Sequence, residues 1–271
     1  MRIKFNHVKT IIKKDLLEMK KDTGTLAPLL VIPFIFSVVL PLLIILGGSS
    51  NAMLNFIGGV RLFTEKVPSS ILPAGLDSND KIVYAILMYF FVPFFLLIPV
   101  IISTVLAASS LTGEKERKTL EGLLYTPINN KELMLGKILA AMLPAVIITW
   151  IALIVYGIIL NSYSFKSFDQ LIFPNTNWII IGVLLAPLIT FLSITLVLFI
   201  SHKVKTSKSA QSVSMLLMLP IIGALISQAS GAILFGYKLS LILFICLLII
   251  DLIAYVLVSK QFNKEKFLTN M

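Results

Sequence analysis

Residues 26–47, LAPLLVIPFIFSVVLPLLIILG, run for twenty-two positions without a charge. A helix of about 20 apolar residues crosses the hydrocarbon of a bilayer. Five further runs have the same character, at 82–108, 138–160, 178–201, 211–235 and 239–258. Across all six, the one charged residue is Asp251. Only a helix, or a closed barrel, satisfies every backbone group in lipid, and runs this long and continuous fit helices. The prolines of the first run, Pro28, Pro33 and Pro41, are tolerated because neighbouring helices can serve the freed carbonyls. The fifth run is interrupted by Ser227, Gln228, Ser230 and Gly231. It reads either as a span to 235 or as a shorter span followed by a re-entrant hairpin.

With 58% hydrophobic and 13% charged residues, little is left for a separate soluble domain. One transmembrane domain, 1–271, is expected. The formal net charge of +10 would suggest nucleic acid in a soluble protein. Here Lys and Arg belong to loops that face anionic lipid, and no nucleic acid is expected. Six spans put 18 Lys and Arg on the side of both termini and 5 on the other. That asymmetry predicts cytoplasmic termini. The single cysteine, Cys246, permits no internal disulfide and no cysteine metal site.

Residues 1–25 do not read as a cleavable signal, because the run that follows is long enough to span. Phe5, Val8, Ile12, Leu16 and Met19 recur at helical spacing, with lysines over much of the remaining surface. The pattern predicts a helix lying in the membrane interface. It serves either as a topogenic anchor or as an elbow that transmits force. In the outer loop, Met53, Phe56, Ile57, Val60, Phe63 and Val67 form a weaker amphipathic run, ended by Pro68 and Pro73.

Between the second and third runs the charge density rises sharply. GEKERKTLEGLLYTPINNKELMLGK, residues 113–137, holds Glu114, Lys115, Glu116, Arg117, Lys118, Glu121, Lys131, Glu132 and Lys137. Leu120, Leu123 and Leu124 nonetheless share one helix face. Pro127 stops that helix, because the residue before a proline is pushed out of helical geometry. Asn129 and Glu132 have the spacing of a cap and its reciprocal partner. A short helix, a kink and a new helix start in water form a rigid, amphipathic surface suited to docking.

This stretch resembles the signature of permease subunits of type 2 ABC exporters. The matching residues are Glu114, Glu116, Thr119, Leu120, Glu121, Thr126, Pro127, Leu135, Gly136 and Lys137. Gly122 departs from the pattern, where a better helix former is expected. The resemblance extends to the elbow, the six spans and the polar interruption of the fifth. It implies an all-α integral membrane fold with a cytoplasmic coupling helix, within 112–136, between spans two and three. That helix would sit in a cleft of a cytoplasmic ABC ATPase subunit through Glu114, Glu116, Arg117, Thr119, Leu120, Glu121, Leu123, Leu124 and Pro127. Residues 201–211 would make a smaller contact. The resemblance also implies a second permease subunit, identical or different, with spans two and five lining the path. The path candidates are Phe90, Phe91, Phe94, Phe95 and Gln228; the aromatics read equally as packing. Relatives with this signature export sodium, drugs, peptides or bacteriocins, and one sequence does not choose among them.

The chain has no GxxxxGK[ST] loop, so ATP would be hydrolysed on another polypeptide. It has no HExxH and only two histidines, His7 and His202, both outside the spans. No catalytic residue, cofactor or metal site is expected, which argues against an intramembrane enzyme. A secondary transporter would carry more intramembrane charge than Asp251 alone. Asp251 reads either as a hydrogen-bonding residue between helices or as a cation or substrate group. The expectation is the permease of an ATP-driven exporter, multipass in a bacterial plasma membrane. The alternatives are a non-exporting immunity or sensor subunit of the same fold and an ion-coupled transporter.

Overall fold

The computed structural model describes residues 4–47, 63, 66–68, 72, 73, 76–117, 122, 126, 128–201, 203, 204 and 206–261. For 23, 25, 78, 79, 111, 168, 260 and 261 it describes only the backbone. Among the described residues there are helices and no strand. Helix α1, Phe5–Lys21, precedes six helices long and apolar enough to cross a membrane. These are α2 Leu26–Gly47, α3 Asp80–Glu116, α4 Asn130–Ser167, α5 Thr176–Ser201, α6 Ser207–Ala229 and α7 Tyr237–Ser259. The outer-loop run at 53–67 lies outside the described residues, apart from Phe63, Lys66 and Val67.

Helix α3 is the central post. It packs against α2, α4, α5 and α6, and 78% of its most apolar stretch is buried. The corresponding share is 11% for α7, which rests mainly on α5 and leaves most of its surface outward. Several hydroxyls inside the bundle are served locally. Thr149, Thr190 and Ser193 donate to the carbonyls of Ala145, Ala186 and Ile189, four residues back, at 2.6–2.8 Å. Such back-bonding lets a hydroxyl lie in apolar surroundings without a partner helix. After α4, the Asn161 side chain accepts from the Ile172 and Phe173 N–H groups and donates to the Phe173 carbonyl. The loop back to α5 is thereby fastened to α4. The fifth span is helical only to Ala229; residues 230–236 form an irregular connection before α7.

Helix α1 packs along the start of α4. Its buried residues are Val8, Ile11 and Asp15, while Phe5 is 77% exposed. The buried face is therefore rotated from the one that apolar spacing predicts. Gly136 explains the close approach. A Cβ there would lie 2.9 Å from Ile11 side-chain carbons, so a glycine is what lets the two helices touch.

Candidate functional site

Helix α3 does not end with the apolar run at 108. It continues to Glu116 and carries the first charges of the signature into the packed end of the bundle. Glu114 is fully buried. Lys14 of α1 donates to its Oε1, and Lys137 of α4 lies 2.8 Å from the same oxygen. Lys137, itself buried, is 3.1 Å from Asp15 Oδ2 and donates to the Ser110 carbonyl at 3.0 Å. Ser110 Oγ closes the ring by donating to Asp15 Oδ2 at 2.5 Å. Three helices thus meet in one buried network of alternating charge. Removing one of its buried members, Glu114 or Lys137, costs about 3–5 kcal/mol, because the partner charge is left buried and unpaired.

The Asp15, Glu18 and Glu114 carboxylates approach closely enough to share a cation. The Lys14 and Lys137 ammonium groups already stand among them, so the donor set fits ion pairing. Partial burial, with Lys137 nearby, draws the Lys14 ammonium below its ordinary pKa.

Around this network lie the two ends of the charged segment. At its start, Arg117 Nη1 is 2.7 Å from Glu18 Oε1 and Nη2 is 3.6 Å from Asp22 Oδ2. Glu116 accepts from the Ser207 N–H and hydroxyl at the start of α6. At the segment's far side, Asn129 is the N-cap of α4. The Glu132 carboxylate accepts from the Asn129 N–H at 3.1 Å and the Lys4 N–H at 2.8 Å, and it meets His7 Nδ1 at 2.9 Å. Helix α1 therefore grips the segment toward both of its ends. Thr119, Leu120, Glu121, Leu123, Leu124 and Pro127 lie outside the described residues. Of the gripping groups, Asp15, Glu18 and Lys14 were not singled out by the sequence. The available signal was an acid, Asp15, four residues after Ile11 in an otherwise apolar row.

The path candidates lie deeper. Phe90, Phe91 and Phe95 are buried and Phe94 is partly buried. Phe95 packs with Tyr156 and Trp178 at centroid distances of 4.6 and 5.1 Å, and Phe91 stacks on Tyr156 at 5.8 Å. Just before them, residues Ile86–Phe90 form a π-helical turn. Three successive carbonyls there accept side-chain donors from three other spans. Tyr156 Oη donates to Leu87 at 2.5 Å, Trp178 Nε1 to Met88 at 3.0 Å and Gln228 Nε2 to Tyr89 at 2.7 Å. The last bond has a sequence cause. Pro93 has no N–H to give the carbonyl four residues back, and Gln228 supplies a side-chain donor there. Spans three, four and five are thus tied to one break in span two. The Gln228 Oε1 is buried with no hydrogen-bond partner among the described residues.

Asp251 lies on the buried side of α7, and neither carboxyl oxygen has a hydrogen-bond partner among the described residues. Of the two readings of Asp251, a hydrogen bond to a neighbouring helix has no partner among the described residues. Helix α5, on which α7 rests, spends Thr190, Ser193 and Thr195 on its own carbonyls.

Neither the curated proteins nor the solved structures yield a significant match. Residues 64–234, more than half of the chain, match the family described as ABC-2 family transporter protein. The match runs from the stretch between α2 and α3 through the π turn, the charged segment and the interrupted fifth span. The six-span helical bundle agrees with it, and the chain belongs to the ABC-2 transporter family as a permease of the ABC-2 type.

Proposed function

We propose that this permease is the membrane subunit of an ATP-driven exporter in a bacterial plasma membrane. Both termini and the charged segment face the cytoplasm. The segment 112–136 docks on a separate ABC ATPase, and a second permease subunit completes the assembly. One observation carries the reading: α1 holds both ends of the segment by Arg117–Glu18 on one side and His7–Glu132 on the other. A push on the segment therefore reaches α1, α3 and α4 together. The π turn and its three side-chain donors then relate α3 to α4, α5 and α6. α1 acts as the force-transmitting elbow.

The docking face is the leucine row 120, 123 and 124, each leucine contributing about 1.5–3 kcal/mol when fully buried. Replacing Leu123 by Asp should uncouple or release the ATPase while membrane insertion survives. Single cysteines at 118–124, in a chain with Cys246 replaced, should crosslink to a separate ATPase polypeptide. If all of them stay free in an active complex, the segment is not the docking element.

A further inference from the structure

Spans α3, α5, α6 and α7 enclose a cavity of about 160 Å³, and every residue lining it is apolar. Leu96, Leu185 and Ile189 form its buried floor. Its rim includes Leu217 and Leu247, both partly buried, and Pro220, which is exposed. Next to the rim, Leu216 and Leu219 are exposed. The cavity is thus closed toward the bundle and open sideways, on the outward face near α6 and α7.

The gap follows from breaks in both flanking helices. On α3 the wall begins at Pro93, just past the π turn. On α6 it begins at the 3₁₀ turn Met215–Leu217, followed by Pro220. A helix that changes its winding cannot keep its ridges in the grooves of its neighbours.

Depth selects the occupant. Phe235 lines the cavity from the connection before α7, and the end of the cavity deepest in the membrane is marked by Leu217, ten residues into α6, and Leu247, ten residues into α7, which begin at opposite ends of the bundle. At 1.5 Å per residue, both lie about 15 Å from those ends, at the level of acyl tails rather than headgroups. No side chain in the cavity offers a polar atom to a headgroup, and an apolar cavity near this size stays dry and accepts hydrocarbon guests. We propose that the cavity is a binding site for the terminal part of one phospholipid acyl chain, entering from the membrane past Pro220. This rests on the α6–α7 side facing lipid beside the second permease subunit proposed above, and not on what the segment 112–136 docks on.

The full chain, reconstituted in nanodiscs, is irradiated with phosphatidylcholine bearing a diazirine near the end of one acyl chain. Adducts are then mapped by mass spectrometry. Bulk lipid reaches outward residues such as Leu252 and Ile253, but not the buried floor. Adducts on Leu96, Leu185 or Ile189 are expected. Ala224→Phe fills the cavity, so floor adducts should fall by about fivefold or more, because a filled space cannot also hold the chain. Labelling at Leu252 and Ile253 should not change. Ala224→Leu is the milder variant, read in the same way if the larger side chain prevents folding. An unlabelled floor in the unmodified chain overturns the proposal, as does a floor labelled equally in Ala224→Leu. Labelling of the floor by a small diazirine alkane, but not by the phospholipid, also overturns it in favour of a free apolar solute.

Discussion

Gln228 shows how much one side chain can hold in a bundle without water. Its amide gives the Tyr89 carbonyl the donor that Pro93 withholds. Hydrogen bonds between membrane helices contribute about 1 kcal/mol each. Gln228→Leu should therefore lower thermal stability by about that amount, since the carbonyl loses its side-chain donor. Pro93→Ala restores an N–H four residues after Tyr89 and gives that carbonyl a second source. The loss from Gln228→Leu should then be smaller in a Pro93→Ala background than in the native one. Melting curves of the four proteins close a double-mutant cycle. Strict additivity would show that the Gln228 bond does not depend on the proline. The Gln228 bond was not legible in the sequence. A polar interruption in span five marked the residue, but its partner is a backbone atom 139 positions away.

At the scale of elements, the spans were legible because length and apolarity suffice in lipid. Five of the six runs each lie within one helix, and the fifth, 211–235, is helical as far as Ala229. The end of α3 and the facing of α1 were not legible, and the reasons are physical. Charges normally mark the point where a helix leaves the membrane, yet Glu114 stays buried because Lys14 and Lys137 reach it from two other helices. The same network turns α1 so that Asp15 faces inward and Phe5 outward. Periodicity weighs each side chain by its own solubility, so it cannot register partners about 100 residues distant. The docking of α1 can be tested through the glycine that permits it. Gly136→Val would place a branched side chain where Ile11 lies, and overpacking of this kind costs about 1–3 kcal/mol. Amide exchange should rise along Phe5–Lys21 and remain unchanged in α5 and α7. Unchanged protection of α1 would mean that the ion pairs alone hold it.

For the whole molecule, the question is which end faces the cytoplasm. Six antiparallel spans bring the start of α1 and the end of α7 to one end of the bundle. Of the 23 Lys and Arg, 18 belong to that end by the sequence reading, and 5 to the other. The excess is spread over α1, the charged segment, the α5–α6 connection and the tail, so no single loop creates it. Orientation follows the distribution of positive residues near span ends, with the richer side retained in the cytoplasm. Part of this charge is engaged: Lys14, Lys137 and Arg117 pair with acids once folded. Insertion precedes that pairing, so these residues still count toward topology. A reporter active only outside the membrane should be active when inserted after Gln170, between α4 and α5, and silent after Lys203, between α5 and α6. A reporter active only inside should give the reverse. The opposite pattern at both sites would invert the molecule and place the segment 112–136 beyond the reach of any cytoplasmic ATPase. Equal activity at the two sites would remove α5 as a span and break the six-span topology.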